Sequence, residues 1–185
     1  MSLPKYKDLF MSLHPGFFEK ESIRSISKGQ VYDEQIMWLR DFDFNTYDKK
    51  HEESISFGYY EGTADKLLEA VGKVEEGWLD IYKNPQRVYC GFINGEIASF
   101  CIIEDMGMHE YEGKTVHVGG PGCVGTVPEY RNRGIGLTMV KLATQILKEE
   151  GYDIGYIHYT GVGPWYAKLG YETIVKWNCD GIVAE

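Results

Sequence analysis

The stretch from Val116 to Tyr159 constrains this chain most, because its periodicity changes twice within some forty residues. Val116 to Val127 reads as a strand interrupted by glycines. Gly134 to Glu150 reads as an amphipathic helix with Ile135, Met139, Leu142, Ala143, Ile146 and Leu147 along one side. Gly151 ends that helix, since glycine enters the left-handed region that a C-terminal cap requires without a steric penalty. Ile154 to Tyr159 then returns to a strand.

The flanking sequence extends the same alternation. Ser54 to Tyr60 is a strand, and Thr63 stands as N-cap of a helix carrying Ala64, Leu67, Leu68 and Val71. Trp78 to Tyr82 adds a short second helix. Arg87 to Ile93 and Glu96 to Glu104 are strands joined by Asn94-Gly95, a dipeptide suited to the positive φ angles of a two-residue hairpin. Pro164 to Leu169 forms a short helix, and Tyr171 to Trp177 pairs with Ile182-Val183. This order predicts a mixed sheet flanked by helices, α/β or α+β in class.

Before residue 53 the pattern is irregular. Tyr6, Leu9, Phe10 and Leu13 have helical spacing, His14-Pro15-Gly16 breaks the run, and Phe17 to Ile26 spells a second short helix. Val31 to Phe44 mixes Ile36, Met37, Trp38 and Leu39 with charges and reads equally as helix or strand. The expected division is residues 1–53 as an N-terminal extension packed on the core and 54–185 as the main domain.

Composition narrows the function classes. A chain of 185 residues with 43% hydrophobic residues can bury a core of its own. No apolar run approaches the roughly 20 residues of a bilayer span. No basic-then-apolar leader opens the sequence, so a cytoplasmic location with no membrane partner is expected. The net charge of -9 argues against nucleic-acid binding, which draws its affinity from neutralising phosphates with Lys and Arg. An acidic surface around Asp41, Asp43, Glu52, Glu53, Glu75 and Glu76 suits either solubility or a cationic substrate. Cys90, Cys101, Cys123 and Cys179 form no C-x-x-C pair and have no His at ligand spacing. They are expected to be reduced, buried thiols, and no metal site is expected.

The turn between the glycine-interrupted strand and the helix it feeds carries the chemistry. It reads Val124-Gly125-Thr126-Val127-Pro128-Glu129-Tyr130-Arg131-Asn132-Arg133-Gly134-Ile135-Gly136. Amides at a helix start have no partner within the helix and carry a positive partial charge. Glycines at 134 and 136 let an anion approach them closely, and the guanidinium forks of Arg131 and Arg133 suit phosphate oxygens. The segment is therefore a candidate diphosphate cradle. A Gly-Lys-Ser/Thr ending is absent, and the third glycine of a dinucleotide fingerprint is replaced by Met139.

The R-x-x-G-x-G pattern, following a strand that ends in Val-Pro-Glu-Tyr, resembles the acyl-CoA signature of the GNAT superfamily of N-acyltransferases. Pro164-Trp165-Tyr166-Ala167-Lys168-Leu169-Gly170-Tyr171 is similar to that family's second signature, and the resemblance covers roughly residues 54 to 185. It implies a sheet whose fourth and fifth strands splay apart, with the pantetheine arm of acetyl-CoA pairing to Val124 and Thr126 beside Gly125. It implies that Arg131, Asn132, Arg133, Gly134, Ile135 and Gly136 hold the pyrophosphate. The implied reaction is direct attack of a primary amine on the thioester, the amine being carried by a small molecule or a peptide. Tyr166 matches the position that protonates the departing thiolate, and a main-chain amide near Val124 would hold the oxyanion.

Two departures accompany the match. Family members often place a Glu or His base on the fourth strand, where this chain has Gly120 and Gly122. Glu104, Asp105, His117 and His158 are the alternatives. Tyr159 stands where an Asn is common, and Thr160 follows it as a substitute contact. A non-catalytic acyl-CoA-binding module, or an enzyme using a different acyl-CoA, therefore stays open as an alternative. So does a homodimer, since the family often forms dimers.

Overall fold

A computed structural model describes residues 6–84 and 87–185. Its strands are β1 (Tyr32–Trp38), β2 (Ile55–Tyr59), β3 (Val88–Ile93), β4 (Glu96–Tyr111), β5 (Lys114–Thr126), β6 (Ile154–Thr160), β7 (Glu172–Asn178) and β8 (Gly181–Ala184). The α-helices are α1 (Tyr6–Leu13), α2 (Glu21–Arg24), α3 (Ala64–Gly72), α4 (Leu79–Tyr82), α5 (Ile135–Glu149) and α6 (Gly163–Tyr166). The strands form one sheet in the order β2-β3-β4-β5-β6-β1-β7-β8. It is mixed, because β5 and β6 run parallel while β3 and β4, or β1 and β6, run antiparallel.

The chain divides into two units, with β4 and β5 each contributing to both. The first contains residues up to Phe42, Asp105–Gly120 and Lys148–Glu185. Its core gathers Leu9 and Phe10 of α1 with Val118, Ile154, Tyr156, Val175 and Trp177. Leu9 and Phe10 follow the helical spacing read from the sequence, and burying each such side chain contributes about 1.5–3 kcal/mol. The ambiguous segment is strand β1, hydrogen-bonded to β6 on one side and β7 on the other. Four consecutive residues of it, Glu34 to Met37, are buried, so it lacks the in-out alternation of a half-exposed strand.

The second unit contains Asp43–Glu104 and Pro121–Leu147. The β3–β4 hairpin turns at Asn94 (φ 50°) and Gly95 (φ 82°), as the dipeptide predicted. Leu67 and Val71 of α3 pack with Tyr82, Cys90, Phe100 and Val127, while Ile135 of α5 packs on Ile93 and Ala98. Thr63 occupies the N-cap of α3 with extended backbone, yet its side chain makes no capping hydrogen bond. Strand β4 continues past its expected end at Glu104 to Tyr111. It turns into β5 at Glu112 (φ 50°) and Gly113 (φ 75°), another two-residue turn with both φ angles positive.

Candidate active site

Strand β5 leaves its neighbour early. Its parallel register with β6 covers Val118↔Ile154 and Gly119↔Gly155. At the next position a Cβ on Gly120 would overlap the carbonyl oxygen of Tyr156, so only glycine fits there. The departure expected of the fourth and fifth strands thus begins at a residue whose missing side chain admits main chain. The left-handed bend in β5 lies at Cys123, past the Gly119-Gly120-Pro121-Gly122 run. Cys123 holds the left-handed conformation (φ 46°), a strained geometry for a residue with a Cβ. The buried Tyr82 hydroxyl donates to the Cys123 carbonyl at 2.8 Å and anchors the bend.

Downstream in the same unit, Gly125 accommodates the Phe100 ring, which a Cβ at that position would overlap. The Val127 amide still donates to Ala98 of β4 at 2.9 Å, after which Pro128–Tyr130 makes one 3-10 turn. Arg131, Asn132 and Arg133 are exposed. The Arg131 Nε donates to the Thr126 carbonyl at 3.1 Å, and the Arg133 guanidinium lies 5.7 Å from the Tyr130 ring centre. Asn132 (φ 65°) and Gly134 (φ 77°) are left-handed, and Ile135 opens α5. The sequence-predicted cradle residues from Arg131 to Gly136 therefore form one turn at the N-terminus of a 15-residue helix, with the two arginines exposed on it. The first amides of that helix lack i−4 partners and lie at the positive end of the helix dipole.

A segment that the sequence pattern did not mark is tied to the start of α5. His51 Nε2 lies 2.7 Å from the Thr138 hydroxyl, and the buried Lys141 ammonium donates to the Tyr47 carbonyl at 2.7 Å. A Cβ on Gly134 would overlap Cδ of Lys49 and meet the Tyr47 hydroxyl at 2.8 Å. Glycine at 134 thus supplies the positive φ and leaves room for the Lys49 side chain.

The thiol on β5 is kept protonated by its surroundings. Burial first, and then the nearby Glu104 carboxylate, push the Cys123 thiol up to about 12. Burial does the same to Cys90, also to about 12. Cys90 and Cys101 are buried as expected, whereas Cys123 and Cys179 are only half-buried.

In the other unit Tyr166 closes α6 and is buried, its ring edge-on to Trp165 (4.8 Å between centres) and to Tyr171 (6.3 Å). Tyr159 is left-handed (φ 54°) and packs edge-on against Tyr32 and Trp177. The Thr160 hydroxyl accepts the Val162 amide at 3.1 Å.

The four alternative bases separate clearly. Asp105 pairs with His117 at 2.9 Å, and the Gly107 amide, followed by His117, holds the Asp105 carboxyl below its ordinary value. His158 bonds Glu34, a fully buried carboxylate that also accepts from Trp177 Nε1 at 2.7 Å and from the Tyr159 amide at 3.1 Å. His14 stacks on His158 at 3.8 Å, bringing ligand-type atoms of His14, Glu34 and His158 within 4.8 Å of one another. Trp177 Nε1, the Tyr159 amide and His158 thus all engage Glu34, as a buried carboxyl group requires. Glu104 alone of the four lies against a glycine of the expected base position. A Cβ on Gly122 would meet its carboxyl carbon and Oε1 at 2.6 Å.

The family model for the acetyltransferase (GNAT) domain matches residues 55–174. No curated relative matches the sequence at a significant level. Among solved structures, the chain is similar to the GCN5-related glucosamine N-acetyltransferase region of a fungal multi-domain GH3 β-N-acetylglucosaminidase, with a TM-score of 0.68 and 21% identity over 93% of this chain and 22% of that one. A GCN5-related N-acetyltransferase from Kribbella flavida gives a TM-score of 0.56 at 15% identity, over 88% of this chain and 62% of that one. One from Sphaerobacter thermophilus gives 0.57 at 16%, over 93% and 54%. At such identities the likeness concerns the fold, and the chain spans less than two thirds of each of these structures' length.

Proposed function

The chain belongs to the acetyltransferase (GNAT) domain family, and from that premise we propose that it moves an acetyl group from acetyl-CoA to a primary amine by direct attack on the thioester. The observation that carries this reading is the turn before α5. Two exposed arginines, a left-handed glycine and the amides at the start of a long helix, which lack i−4 partners, are the donor set a diphosphate needs. In the proposal Arg131, Asn132, Arg133, Gly134, Ile135 and Gly136 bind the pyrophosphate. The main chain at Val124 and Thr126, flanking Gly125, pairs with the pantetheine amides as an added strand would.

Tyr166 donates the proton that the departing thiolate takes up, and the amide near Val124 steadies the oxyanion. A protonated Cys123 supports direct transfer over an acetyl-cysteine intermediate. Residues 54–185 constitute the transferase domain and residues 1–53 its N-terminal extension, of which 1–5 lie outside the described residues. Among the described residues no helix is long and apolar enough to cross a membrane.

Thiol release from acetyl-CoA, screened against amino sugars, polyamines, aminoglycosides, amino acids and peptide N-termini, tests the reading. Acetyl-CoA at 100 times its Kd should add ~2.7 kcal/mol of stability, and comparison with succinyl-CoA and longer acyl-CoAs identifies the donor. Tyr166→Phe should lower turnover by ~10²–10⁴ with acetyl-CoA binding nearly unchanged. A rate within twofold of the parent would reject the acid role.

A further inference from the structure

The fourth-strand base positions hold glycine, yet a carboxylate stands over one of them. Both Glu104 oxygens lie within 2.9 Å of where a Cβ on Gly122 would be, so the carboxylate fills the start of the missing side chain's path. It projects from β4, and the left-handed bend at Cys123 immediately follows Gly122 along β5. Its field reaches that bend, adding to the effect of burial on the Cys123 thiol. Glu104 is half-buried, and the next residue along, Asp105, is exposed and engaged with His117. A glycine at 122 is thus what lets a carboxylate from the neighbouring strand occupy this ground. Any larger residue would displace it.

We propose that Glu104 is the general base of the transfer reaction, supplied by β4 in place of a side chain on β5. The proposal rests on the transferase reading above. A substrate ammonium loses one proton to the Glu104 carboxylate, directly or through one water. The free amine forms the C–N bond at the thioester carbon, and the carbonyl electron pair becomes the oxyanion held near Val124. As the carbonyl re-forms, the C–S bond breaks and its electron pair leaves on sulfur. The amine's second surplus proton passes to solvent. The thiolate takes the Tyr166 proton, which solvent restores, and Glu104 releases its own. The net products are amide, CoA thiol and one proton.

The test uses the full chain with acetyl-CoA and whichever of glucosamine, spermidine and a lysine-containing peptide the parent acetylates fastest. Glu104→Gln keeps the shape and should lower kcat by ~10²–10⁴, typical of losing one acid–base group, while the stabilisation by acetyl-CoA stays at the parent's value. Its residual rate should climb with pH as the amine deprotonates unaided. The exchange variant Glu104→Gly with Gly122→Glu returns a carboxylate to β5 and should recover at least tenfold over Glu104→Gln. A Glu104→Gln rate within twofold of the parent, with the parent's pH profile, overturns the proposal. So does equal loss of acetyl-CoA stabilisation in both variants, which marks a structural role. A parent that neither releases thiol nor is stabilised by acetyl-CoA fails before any variant is made, and that result falls on the transferase reading itself.

Discussion

Gly120 and Gly122 are as bare as each other in the sequence, but they make room for different things. Gly120 admits the Tyr156 carbonyl, and Gly122 admits the Glu104 carboxylate. Gly120→Ala places a methyl group against main chain that cannot rotate away. It should cost about 1–3 kcal/mol, typical of overpacking, and a shift in urea midpoint measures it. Tyr82→Phe keeps the ring of a fully buried residue but removes the donor to the Cys123 carbonyl. The expected loss is about 1–3 kcal/mol, the cost of a buried acceptor left without its partner. Denaturant unfolding of Tyr82→Leu alongside it separates the hydroxyl from the ring. These pairings were out of reach of the sequence, because they join residues far apart along the chain and meet only through space.

Turns and helix ends were the most legible elements. A methyl group added at Gly95 would find nothing within 4 Å, so Gly95→Ala meets no clash and should lose about 1–2 kcal/mol from its positive φ alone. A smaller change in thermal or urea unfolding would mean that the β3–β4 turn relaxes. The Glu112-Gly113 turn has the same pair of positive φ angles but no strong pattern, since Glu rarely takes its place in such a turn. Strand β1 was illegible for a different reason. Periodicity reports a contrast between two faces, and burial of Glu34 to Met37 in a row removes the contrast. The 43–53 segment was silent too, its anchors being single contacts such as His51 to Thr138 and Lys141 to Tyr47.

For the molecule as a whole, acid should be felt at His14. Burial, then the neighbouring His158, lowers its pKa from 6.5 to about 3. Its Nε2 is buried without a hydrogen-bond partner among the described residues, so protonation there carries a desolvation cost. A depressed histidine favours the native state above pH 6.5, and that advantage is lost as the pH falls from there toward 3. The slope is at most roughly 1.4 kcal/mol per pH unit. Urea midpoints at pH 7 and pH 5 should therefore differ in the parent and differ less in His14→Phe. An unchanged difference would assign the acid sensitivity to other groups. By itself the sequence determined the class of fold, the turn that opens α5 and the short helix that carries Tyr166. Each of these depends on neighbours along the chain: a change of period, a glycine at a helix start, an aromatic-rich short helix. Only the tertiary structure decided that β1 lies between β6 and β7, that Cys123 carries the bend, and that Glu104 stands over Gly122. Those facts arise where strands distant in sequence are brought side by side, and hydrogen bonding and steric room across such a pair leave no periodic mark on either partner.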